Sequence, residues 1–231
     1  MKKNVLLTVA SCVPLLLGSA GVFADTTPTN TTNSSTPVSA NFTVSSVDPS
    51  NPNPPSPVDP SQPGQGGNTN LNPNSTFALA YLPSKFDFGT IDLTGKSSLN
   101  VQATTNGKTF NIGVKNTTHN QNAWNLTAKL TGNLVDYGAT INTANNVAQL
   151  NNNGNLTTLT DTGAITVSNT VNIGGSASNM MSGNAKHTFA GTYDLKLGSV
   201  SLNIPDTSKV VSGNTSGSIT WNLEKVPTSG N

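Results

Sequence analysis

Trp124-Asn125-Leu126-Thr127-Ala128-Lys129-Leu130 alternates apolar and polar residues without a break. A period of two puts Trp124, Leu126, Ala128 and Leu130 on one side of an extended chain. This is the pattern of a strand with one buried and one wet face. Working outward, the pattern recurs in Phe110-Asn111-Ile112-Gly113-Val114 and in Ile219-Thr220-Trp221-Asn222-Leu223-Glu224. Leu195 and Leu197, then Val200, Leu202 and Ile204, repeat it. Between the runs lie Asn106-Gly107, Asn151-Asn152-Asn153-Gly154 and Gly174-Gly175, residue types that turn a chain. No long segment keeps a helical period. Many short antiparallel strands close most readily into two packed layers. Residues 76–231 are therefore expected to form an all-β, immunoglobulin-like antiparallel β-sandwich. Residues 138–185, rich in Asn, Thr and Gly, read as a hairpin excursion with modest apolar runs at 147–150 and 164–173.

Upstream of the strands the composition changes. Residues 25–75 begin with Thr, Asn and Ser and continue through Asp48-Pro49-Ser50-Asn51-Pro52-Asn53-Pro54-Pro55-Ser56-Pro57-Val58-Asp59-Pro60. So little apolar surface does not offset the entropy of ordering, and the proline part favours an extended spacer. A disordered linker is the expectation there. Phe42, Val44 and Val47 are read as part of that loose segment rather than as a strand. Ahead of it, Lys2 and Lys3 precede an apolar run over 5–17 and the small residues Gly18, Ser19 and Ala20. These are the marks of a signal peptide, 1–24, cut before Asp25. Cys12 sits inside the apolar run rather than at a lipidation site, so the exported chain is expected to lack cysteine and disulfides.

The chain has 231 residues, a net charge of +1 and 9% charged residues. Its 11 basic residues are all lysine. A near-neutral chain without arginine is a poor match for a phosphate backbone, so nucleic acid is excluded as a partner. From residue 77 onward the lysines are scattered and read as a solvated surface.

Chemistry-bearing constellations are sparse. His119 and His187 each lie in polar, turn-like sequence without the neighbouring ligands a metal site requires, and no cofactor is expected. Asp87 and Asp92 flank Phe88-Gly89, yet a carboxylate pair of this kind reads as solvent-facing strand ends rather than as a glycosidase pair. Serine-nucleophile motifs are lacking. The expectation is a protein that is not an enzyme.

Two features stand together. Trp124-Asn125-Leu126 and Trp221-Asn222-Leu223 both read Trp-x-Leu and use both tryptophans of the chain. The Pro/Asp-rich spacer leads into Leu82-Pro83-Ser84-Lys85-Phe86-Asp87-Phe88-Gly89, and the second motif continues as Glu224-Lys225-Val226-Pro227. This arrangement resembles the WxL-domain surface proteins of low-GC Gram-positive bacteria such as enterococci and lactobacilli. The resemblance implies a secreted protein at the cell surface, attached non-covalently to the wall through peptidoglycan or an associated wall polymer. It also implies work alongside other WxL proteins and a membrane-anchored surface partner, and it points to Trp124, Leu126, Trp221 and Leu223 as binding residues. The competing expectation is a structural or adhesive subunit whose ligand is a partner protein or host matrix, which an exposed strand edge beside the motifs would favour. Alternation by itself reads the two tryptophans as core. A semi-buried platform on neighbouring strands would serve packing and binding together.

Overall fold

The computed structural model describes residues 35–61 and 66–226. The signal segment 1–24, with Cys12, lies outside these residues, as does the first part of the linker. Contacts divide the chain into Met1–Phe42 and Thr43–Asn231, and every strand belongs to the second unit. In chain order the strands are β1 (Asn68–Asn70), β2 (Phe77–Pro83), β3 (Leu99–Gln102), β4 (Phe110–Asn116), β5 (Ala123–Gly132), β6 (Thr140–Ala144) and β7 (Val147–Asn152). There follow β8 (Asn155–Thr158), β9 (Ile165–Val167), β10 (Val171–Ile173), β11 (Ser178–Gly183), β12 (Gly191–Leu197), β13 (Ser199–Ile204) and β14 (Gly217–Val226). Two short 3-10 turns, Asn133–Tyr137 and Thr207–Lys209, are the only helical pieces among the described residues.

The strands form three antiparallel sheets: a six-stranded β1-β2-β4-β12-β7-β8, and four-stranded sheets β10-β6-β13-β3 and β14-β5-β11-β9. The all-β, antiparallel sandwich architecture is as the alternation indicates. The strands are spread over one more sheet than a two-layer immunoglobulin sandwich has. One core unites the sheets, with Ile112, Leu126, Ile173, Leu195 and both Met180 and Met181 fully buried in it.

Residues 138–185 are more than an excursion. They supply β6 and β10 to one sheet, β7 and β8 to another, and β9 and β11 to the third. Only β7–β8 is a tight hairpin, turning at Asn153 and Gly154, both at positive φ, as such a two-residue turn requires. In β11 the register shifts between Asn179 and Met181. This bulge lets two successive residues, Met180 and Met181, enter the core, which strict alternation does not allow.

The linker expectation is corrected for residues 47–58 and 66–75. Asn68–Asn70 is a strand of the large sheet, and residues 47–58 are tied down along that sheet. Lys115 Nζ donates to the carbonyls of Asp48 and Pro73 and lies 3.6 Å from the Asp48 carboxylate. Asn68 Nδ2 donates to Pro55 O, Asn151 Nδ2 to Asn53 O, and Thr117 Oγ1 to Asp48 Oδ2 at 2.7 Å. Hydrogen bonds from Ser50 and Thr117 hold the Asp48 carboxyl down at about 2. The face of β4 that carries Asn111 and Lys115 is thus buried under a proline-rich strap rather than wet.

Beneath the strap lies a buried carboxylate. Asp194 accepts from Tyr81 Oη at 2.8 Å and from Asn111 Nδ2 at 2.8 Å, and Asn151 Nδ2 donates to Tyr81 Oη at 2.9 Å. Burial raises Asp194 to about 6, and it also raises the Tyr81 phenol. The tyrosine ring lies flat on Gly113, where a Cβ would collide with it.

Candidate functional site

The two Trp-x-Leu motifs sit side by side on one sheet. Strand β14 pairs with β5 along its whole length, and the register sets Trp124 opposite Lys225, Leu126 opposite Leu223, Ala128 opposite Trp221 and Leu130 opposite Ile219. Directly paired residues share a face, so both motifs point to the same side of the sheet.

Their surroundings differ because β5 is interior and β14 is an edge. Trp124 and Leu126 are 0% exposed. The indole Nε1 of Trp124 donates to Thr188 Oγ1 at 2.9 Å, and that hydroxyl donates to Asn184 O at 3.1 Å. Tyr193 packs on the ring with centroids 6.0 Å apart. Gly183 faces it so closely that a Cβ would fall inside the indole. The first motif therefore has no surface to offer a ligand. Trp221 and Leu223 are half-buried.

Trp221 lines a groove of about 510 Å³. Its opposite wall is the loop after β2, with Phe86, Phe88 and Ile91, and Leu130, Ile141 and Leu202 lie at its floor. Phe86 anchors the loop by setting its ring edge-on to Phe110, with centroids 4.9 Å apart. Asp87 shapes the turn: it accepts from Gly89 N at 3.0 Å and from Lys85 Nζ at 2.8 Å. The lysine bond, chiefly, holds the Asp87 carboxyl below the usual range. Ser216 and Ser218 add hydroxyls at the rim. The Phe-Asp-Phe-Gly loop and the terminal Trp-x-Leu, far apart in the chain, meet here. The loop and the second tryptophan were visible in the sequence as separate motifs, but nothing in it said that they share a groove.

The remaining candidates lie apart. Asp92 accepts from Thr94 N at 2.9 Å in an exposed turn. His187 Nδ1 lies 2.6 Å from Asp161 Oδ2 on the surface, and His119 packs on Phe189. Among the described residues there is no group of three metal-ligating side chains. No described helix is long and apolar enough to cross a membrane. The buried carboxylate of Asp194 was not singled out by sequence reasoning. It follows Tyr193 in an ordinary alternating strand, and only the strap packed over it distinguishes it.

An aromatic-walled groove beside an edge strand is the kind of concave surface on which binding modules hold their ligands. The WxL family model, described as "WxL domain surface cell wall-binding", matches residues 26–227. The chain belongs to that family, and its domain is a cell-wall-binding domain of the cell surface. No curated protein and no solved structure matches it.

Proposed function

We propose that the protein is exported, holds peptidoglycan non-covalently in the groove between Phe86, Phe88 and Trp221, and helps to assemble a surface complex. The observation that carries this is the pairing of half-buried aromatic walls with a polar rim. Sugar rings present apolar faces that stack on aromatic side chains, while their hydroxyl and amide groups seek donors and acceptors. Lys85, Asp87, Ser216 and Ser218 supply those at the mouth. The role is attachment without bond-breaking. Asp87, chiefly through the Lys85 hydrogen bond, and Asp92, through the backbone N–H of Thr94, are both held below the usual carboxylate range, which disfavours a general acid. Other WxL proteins and a membrane-anchored partner are the proposed companions.

The test is pelleting of the purified protein with protein-stripped sacculi. Wild type is expected in the pellet and a folded Trp221→Ala variant in the supernatant. Wild type left in solution would rule out direct wall attachment. A second reading, a subunit that binds a partner protein, is favoured by one observation: among the described residues the edge strand β14, which carries the second motif, pairs on one side only.

A further inference from the structure

We infer that the groove along β14 receives, as an added strand, residues 38–44 of a second copy of this chain. Val38, Ala40, Phe42 and Val44 alternate with Ser39, Asn41, Thr43 and Ser45, a strand pattern with one apolar face. Yet among the described residues the segment joins no ladder, and Val38, Phe42 and Val44 are 92%, 91% and 49% exposed. Valine, phenylalanine and threonine favour strands, and such residues are scarce in chains selected to stay unfolded. Among the described residues, the apolar side chains of this segment stand exposed.

The domain has the complementary vacancy. Strand β14 pairs with β5 through ten successive residues without a register shift. Among the described residues its outer edge has no backbone hydrogen-bond partner. None of its ten residues is buried. Long, regular edges of this kind are normally shielded by prolines, bulges or inward charges, and here Lys225, near one end, is the single basic residue. Beside that edge the groove opens onto Leu130, Ile141 and Leu202, all core side chains. A strand laid along β14 would satisfy the edge and send alternate side chains toward them, which is strand addition.

Charge agrees with this occupant. Residues 37–47 carry no charged side chain, and the two charges at the groove mouth, Lys85 and Asp87, neutralise each other at 2.8 Å. The contact is head-to-tail, segment of one copy into groove of the next, so it joins copies either by reciprocal exchange into a closed assembly or as an open chain. The inference rests on the groove being a binding site, as proposed above. It gives that site a protein occupant wherever it does not meet the wall.

The test is sedimentation velocity of the purified protein over a wide concentration range, beside a Phe42→Asp, Val44→Asp double variant. Both side chains are exposed, so folding is unaffected. Wild type is expected to form concentration-dependent oligomers and the double variant to remain monomeric. A synthetic peptide of residues 36–46, added to the monomeric variant, is expected to shift its tryptophan emission to the blue and to leave a Trp221→Phe derivative unchanged. Monomeric wild type, oligomers that persist in the double variant, or a peptide without effect would each overturn the inference. Pelleting of the double variant with sacculi is read separately, so a groove that holds the segment but no wall polymer counts only against wall binding.

Discussion

Leu126 and Leu223 stand directly opposite each other across β5 and β14, with Trp124 and Trp221 one pair further along in opposite directions. The two motifs are thus the two halves of one apolar stripe. One half is sealed inside the sandwich and the other is left at a groove. A motif that looks repeated has split its labour between holding the sheet and offering a surface.

That division predicts unequal mutations. Trp124→Ala removes a fully buried indole and the hydrogen bond it donates to the Thr188 hydroxyl, a loss of roughly 3–5 kcal/mol. Trp221→Ala, at a half-open position, is expected to cost about 1 kcal/mol, far less than a core truncation. Urea unfolding followed by circular dichroism measures both.

Gly183→Ala should be nearly as harmful as a core truncation. Its new methyl group would enter the Trp124 ring, and overpacking of this kind costs about 1–3 kcal/mol. The denaturation midpoint reads the effect. A Gly95→Ala variant, where nothing lies within 4 Å of a new Cβ but φ is +70°, carries backbone strain without the steric conflict and so separates the two.

The strap gives a prediction that leaves the sheets intact. Lys115→Met keeps the length of the side chain but leaves the carbonyls of Asp48 and Pro73 without their donor, a cost on the order of 2 kcal/mol. Limited proteolysis should then cut within residues 47–58, which wild type protects. Equal resistance in the two proteins would count against the latch.

Asp194 sets the sign of one pH dependence. Its folded value of about 6 lies above the ordinary carboxyl value of 3.8, so between these values the folded state holds a proton that the unfolded state releases. Stability from this group therefore falls as pH rises from about 4 to about 6, by about 3 kcal/mol at most. Asp48 acts oppositely and lower: its stabilisation is present above 3.8 and lost as pH falls toward 2. Unfolding free energies measured from pH 4 to 7 should fall in wild type and stay flatter in Asp194→Asn.

Legibility in the sequence followed the residues. The strands around Phe110, Trp124, Leu195 and Trp221 were readable because each keeps its period of two. Residues 138–185 were not, because Asn and Thr occupy positions that elsewhere carry Val or Leu, and a bulge at Met180 breaks the alternation. The strap was hidden for a different reason. Asn111, Lys115 and Asp194 look like a wet face, and a polar residue hydrogen-bonded under proline-rich chain has the same sequence signature as one facing water. For the site, Trp221 and the Phe86–Phe88 loop were each visible, but their meeting depends on which edge β14 occupies. Such long-range pairing leaves no local trace.

The proposed function requires binding of wall material in the groove at Trp221. Its most direct test is a fluorescence titration with soluble muropeptides released from purified sacculi. Trp124 is sealed in the core, so any change in emission reports Trp221. A saturable blue shift in wild type that vanishes in Trp221→Phe, with folding intact, is the predicted result. Muropeptides that bind equally well to both proteins, or leave the emission of wild type unchanged, would contradict it.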